Sequence, residues 1–138
     1  MASAPFDPAS MPRFSVIKIP ATLDGQKQFK RFVVISHIPG YVYCLKATSQ
    51  TAAFEACRDC VLTYKKGECK QFEKETVIDP RNQFPISHAE LKKSIQDGEF
   101  EDHGCLPSDF RERMTEVVKN SRVIEPRKKA RLLKELGE

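Results

Sequence analysis

The chain has 138 residues and a mass of 15.7 kDa, with 40% hydrophobic and 30% charged residues. That length fits one domain able to bury a core without staples, and the composition excludes wholesale disorder. A net charge of +4 and a pI near 8.8 favour polyanionic partners, and no apolar run approaches the length of a membrane span.

Residues 1–12 lack the cationic start and apolar stretch of a signal peptide, so they read as a flexible leader and the cytoplasm is the default location. Residues 13–138 read as a single domain. A first strand is predicted over 14–19, stopped by Pro20, and a mostly polar loop with a turn signal at Asp24-Gly25 follows.

The most informative stretch comes next. Lys30-Arg31 runs into the strand-like Phe32-Val33-Val34-Ile35-Ser36, and Tyr41-Val42-Tyr43-Cys44-Leu45 leads on to Ala47-Thr48-Ser49-Gln50. The short turn His37-Ile38-Pro39-Gly40 makes these two runs a hairpin. The start of one strand and the end of the other then share a sheet edge, where Lys30 and Arg31 face the Thr48 and Ser49 hydroxyls. Such an edge suits a phosphodiester.

Short strands or extended pieces are predicted at 60–64, 71–72, 76–78 and 83–86, with a helical turn at 52–56 and turns at 65–68 and at Asp79-Pro80-Arg81-Asn82. Helices come late. Ser87-His88-Ala89-Glu90 matches a capping box, with Ile86 and Leu91 as its hydrophobic staple, and opens a helix ending near Asp97-Gly98. Phe110, Met114, Val117 and Val118 form one stripe of the longest helix, after Leu106-Pro107-Ser108. Pro126 opens a last helix carrying Arg127, Lys128, Lys129, Arg131 and Lys134, with a small apolar face at Leu132, Leu133 and Leu136. Strands first and helices after predict a mainly β fold, a small antiparallel barrel or curled sheet with C-terminal helices.

Five cysteines in a cytoplasmic chain predict free thiols rather than a disulfide framework. Cys57-Arg58-Asp59-Cys60 offers two zinc ligands, but no second close cysteine pair completes a site, so no metal is expected. Histidine is a side chain suited to acid–base work, yet none of His37, His88 and His103 has a neighbour in sequence that singles it out, and surface or structural roles are expected.

This order of elements resembles the MazF/PemK/Kid family of toxin endoribonucleases. Residues 14–20 look like its opening strand, and 30–36 like its basic residue leading a long apolar strand. Leu45-Lys46-Ala47-Thr48-Ser49-Gln50 looks like its strand ending in threonine; 76–86 with Leu91 is similar to its late hairpin and short helix; Gly104-Cys105-Leu106 is similar to its closing segment. The resemblance implies an SH3-like, PemK-like barrel, a homodimer, an antitoxin peptide as partner, and cofactor- and metal-independent cleavage of single-stranded RNA. Carried over by position, Arg31 (or Lys30, if the register slips by one) and Thr48 are the implied catalytic residues, with Lys30, Ser49 and Gln50 expected to bind substrate. Arg13-Phe14 stands where the family has Gly-Asp, and Phe32 follows the arginine where the family has proline. The alternatives are a catalytically inactive barrel of the same fold that binds nucleic acid or protein, and a small zinc-binding module built on Cys57 and Cys60.

Overall fold

The computed structural model describes residues 7–23 and 25–137. Residues 1–6 of the expected leader and Asp24 of the expected turn lie outside them. Strands β1 (Ser15–Leu23), β2 (Gln26–Ile38), β3 (Tyr41–Thr48), β4 (Leu62–Tyr64), β5 (Thr76–Ser87) and β6 (Glu101–Cys105) form one antiparallel sheet in the order β4-β5-β3-β2-β1-β6. Helix α1 (His88–Gln96) precedes β6, and α2 (Phe110–Asn120) and α3 (Pro126–Glu135) close the chain. The fold is mainly β with C-terminal helices, as the element order predicts. No helix among the described residues is long and apolar enough to cross a membrane.

The sheet is buried on both faces. Val33 and Ile35 of β2 join Val16, Tyr43, Leu45 and Ile78 under Phe110, Met114 and Val118 of α2 and Leu132 of α3. Phe32 and Val34, one residue out of step, join Ile17, Ile19, Val42 and Cys44 with Ile86 and Leu91 on the other face. Alternate side chains of a strand point to opposite faces, so the apolar run 32–35 serves two cores. Register irregularities interrupt the β1–β6, β2–β3 and β3–β5 pairings. Irregularities of this kind bend strands and curl a sheet. At its ends Gln71, on the loop after β4, donates from Nε2 to the Cys105 carbonyl of β6 at 2.9 Å, which ties the two margins together.

Several local expectations change. Pro20 does not stop β1, which continues to Leu23 with Pro20 opposite Phe29. The β6 pairing ends at Lys18, so beyond it one side of β1 is open, where proline is tolerated. Asp79-Pro80-Arg81-Asn82 does not end a strand. It is looped out within β5, because Leu45 pairs with Gln83 and Ala47 with Ile78. The turn chemistry is present all the same: Asp79 Oδ1 accepts the Arg81 amide at 2.9 Å. Residues 71–72 form no strand, and β6 arises from an exposed, non-alternating segment the pattern does not announce.

Residues 7–12 are not a free leader. Asp7 caps a 3-10 turn, Pro8–Ser10, and Met11 is buried with the α1-side core. Phe14 adopts φ 68°, a left-handed conformation costly for a bulky residue. Its ring packs on Phe110 at 5.1 Å between centroids, with the Arg13 and Arg111 guanidinium groups over it, and that packing offsets the strain.

Helix α1 starts and stops where its signals place it. Ser87 Oγ accepts the Glu90 amide at 3.1 Å, and Gly98 follows the helix at φ 69°. Only this half of the capping box forms among the described residues, since Ser87 also ends β5, paired with Tyr41. Ser87→Ala is expected to cost about 1 kcal/mol. Phe110→Ala, which empties a fully buried site, is expected to cost about 3–5 kcal/mol. Denaturant melts of both variants check the ranking, and an equal loss would contradict this account of the core.

Candidate functional site

The register of three strands builds the site. Arg31 lies opposite Ala47 of β3 on one side and Lys18 of β1 on the other. Lys18, Arg31 and Ala47 therefore form one cross-strand row, while Lys30, opposite Ile19, belongs to the other face. Arg31 is not at the head of its strand. β2 begins at Gln26, and β1 and β2 run on past the end of β3 as a two-stranded arm. The site is the step where three strands become two.

Lys30, Arg31, Thr48, Ser49 and Gln50 all line one cleft of about 100 Å³ at this step. Lys18, Phe29 and Ala47 complete it, and no carboxylate is among them. Thr48 and Gln50 also line an adjoining cleft of about 180 Å³ with Lys46, Phe54, Asp79 and Asn82. Asp79 is already engaged, holding the Arg81 guanidinium through both carboxylate oxygens at 3.1 Å. All five residues singled out in the sequence thus meet. Lys18 and Phe29 were missed, because the β1 register brings Lys18 in and the long arm brings Phe29.

Electrostatics define the cleft. Lys18 and Arg31 are like charges directly opposite on neighbouring strands, which is destabilising in isolation. Lys18, Lys30 and Arg31 make no ion pair with any described residue, and Arg31 Nε is buried without a hydrogen-bond partner. The nearest acid in the register is Glu101, beside Lys18 on β6, and it lies 3.4 Å from His103 Nε2 instead. Thr48 Oγ1 accepts the Gln50 amide at 3.1 Å, so its own proton remains free to donate outward. Cations without an ion-pair partner, beside a hydroxyl free to donate, are the makings of an anion site.

A larger cleft, about 370 Å³ between β1 and α1, has the opposite character. Its Lys27 and Lys93 are paired with Glu99 and Asp97, and Glu90 adds further negative charge. Its carboxylates outnumber its cations.

None of the histidines reaches the cationic cleft. His37 Nε2 lies 2.7 Å from the Met11 carbonyl, His88 begins α1, and His103 sits on β6.

The cysteines differ from expectation at one point. Cys57 and Cys60 form a disulfide, since the break of the 3-10 segment Thr51–Cys60 at Cys57 brings their Cα atoms to 5.4 Å, within bridging range. The Asp59 carboxylate lies within 4.8 Å of both sulfurs, but sulfurs bonded to each other offer no thiolate to a metal. Cys44, Cys69 and Cys105 are free thiols, and burial pushes the Cys44 thiol well above its ordinary range.

Comparison with protein-family models, with curated proteins and with solved structures finds no match for this chain.

Exposure predicts the thiol chemistry. A bulky maleimide should modify native protein at Cys105, with Cys44 and Cys69 protected until unfolding and Cys57 and Cys60 until reduction. Native protein should bind no stoichiometric zinc. Mass spectrometry of labelled peptides, with metal analysis, checks both, and about one zinc per chain lost in Cys57→Ser would restore the zinc-module reading.

Proposed function

We propose that the protein is a MazF/PemK-like toxin endoribonuclease that cleaves single-stranded RNA without a metal. On this reading the curled sheet is an SH3-like barrel, the working form a homodimer in the cytoplasm, and the regulatory partner an antitoxin peptide. One observation carries the reading: Lys18 and Arg31 stand opposed in a cleft without carboxylates, and Arg31 Nε has no partner. Such charges are best explained by a ligand that brings negative charge with it, and a phosphodiester does.

The chemistry follows from the charges. The ribose 2′-oxygen attacks the adjacent phosphorus while its proton passes to water or a phosphoryl oxygen. Negative charge builds on the non-bridging oxygens, where the Arg31 guanidinium stabilises it and the Thr48 hydroxyl donates a hydrogen bond. The bond from phosphorus to the 5′-oxygen breaks, and that oxygen takes up a proton. The products are a 2′,3′-cyclic phosphate and a 5′-hydroxyl. Lys30, Ser49 and Gln50 hold the flanking backbone. A cytoplasm would favour the reduced form of Cys57 and Cys60, but the hairpin that carries Arg31 and Thr48 does not include them.

The second reading, a catalytically inactive barrel that binds nucleic acid, is favoured by a different observation. No histidine or carboxylate lines the cationic cleft to take the 2′-hydroxyl proton.

Cleavage of a long single-stranded RNA in the presence of a chelator separates the two. Arg31→Ala is expected to lose about a hundredfold to a thousandfold in rate, the scale of one oxyanion-type donor. Thr48→Ala should lose less, because a neutral donor is weaker. Binding by both variants should still weaken with salt. Wild-type protein that binds RNA without cutting it would establish the inactive barrel, and undiminished cutting by Arg31→Ala would remove the assigned site.

A further inference from the structure

Four large apolar side chains stay exposed among the described residues: Phe29, Tyr41, Phe84 and Val123. Phe29 alone borders the cationic cleft, and it is 48% exposed although it sits inside a paired strand. It lies on the β1–β2 arm beyond the end of β3, opposite Pro20, and belongs to neither buried core. Two residues from Arg31, it projects from the same face of β2, about 7 Å along the strand. An aromatic ring beside a guanidinium, with Lys18 and Lys30 alongside, combines a flat apolar surface with positive charge. Single-stranded nucleic acid is the ligand that presents a flat ring and a phosphate at this separation.

We propose that Phe29 is a stacking platform for a nucleobase, holding the base next to the phosphate bound at Arg31. The inference rests on reading the cleft as a nucleic-acid site, and it adds that the strand runs from the Thr48 end of β3 out along the arm. Stacking of this kind accepts any base, so Phe29 contributes affinity and alignment rather than sequence choice. It also orients the chain at the scissile bond, because a base fixed on the ring limits rotation of its own sugar and phosphate.

The test uses a fluorescently labelled 2′-O-methyl RNA of about ten nucleotides, which binds like RNA but cannot be cut. Binding is read by anisotropy at low salt. Phe29→Ala should weaken it about fivefold to a hundredfold, the range for losing one base stack. Phe29→Trp should retain binding, and its indole fluorescence should be quenched when the oligonucleotide is added. Because Phe29 is exposed, neither change touches the core, and thermal melts should match wild type. Normal binding by Phe29→Ala, with binding weakened in Arg31→Ala, overturns the stacking role and leaves the cleft reading intact. No binding by wild-type protein overturns both. Weakened binding by Phe29→Ala in a protein that cuts nothing supports the platform on an inactive barrel.

Discussion

The two-sided burial of β2 is the constraint from which the rest follows. Phe32, Val33, Val34 and Ile35 are all buried, alternately in the α1-side core and the core beneath α2 and α3. A slip of one residue would exchange the faces of every side chain, driving the small Val33 and Ile35 set and the larger Phe32 set into each other's cores. Register is therefore pinned where packing is densest, and the polar half of the strand inherits it. Arg31, rather than Lys30, falls in the row with Lys18 and Ala47 because Val33 is two residues on. The chemistry of the cleft is set by packing it does not take part in.

That inheritance leaves an electrostatic imbalance. In the cleft between β1 and α1, Lys27 and Lys93 have carboxylate partners, as surface cations usually do. In the cleft at the end of β3, Lys18, Lys30 and Arg31 have none among the described residues. Opposed like charges on neighbouring strands cost a few tenths to about 1 kcal/mol, small enough for two buried cores to carry. A bound phosphate would turn that cost into attraction.

The parts of this arrangement that were legible in the sequence are those encoded locally. The turn at Pro39-Gly40, with Gly40 at φ 78°, fixes the β2–β3 hairpin from four residues, and so brings Arg31 to the Thr48 end. The Ser87 cap, the stripe Phe110, Met114 and Val118, and Pro126 placed the three helices for the same reason. What was not legible depends on partners distant in the chain. Pro20 is harmless because the β1–β6 pairing ends at Lys18, and β6 has no apolar alternation because it is an exposed edge. Asp79-Pro80-Arg81-Asn82 carries true turn chemistry, and only pairing with β3 on both sides makes it an interruption within a strand. Lys18 belongs to the site through the β1–β2 register, and Phe29 through the length of the β1–β2 arm, which a proline in mid-strand concealed.

The position of the cleft follows from how the opposite end of β2 is closed. Arg13 donates from Nε to the Ile35 carbonyl at 2.8 Å and from Nη2 to the Glu135 carbonyl. Ser36 donates to the Glu135 carboxylate, and the Leu106 amide donates to the Phe14 carbonyl. Partial burial and the neighbouring Arg111 pull the Arg13 pKa down, against the opposing pull of Glu135. Helix α3 is thereby anchored over the Ile35 end of the sheet, and its apolar residues Leu132 and Leu136 are spent there. Among the described residues, Phe29 and Arg31 toward the other end belong to neither buried core. A strand buried on both faces along half its length and bare along the other half must change from core to surface at some residue. In this sheet the change comes at Arg31, where β3 also stops, and a guanidinium with an apolar stem and a charged head suits that boundary.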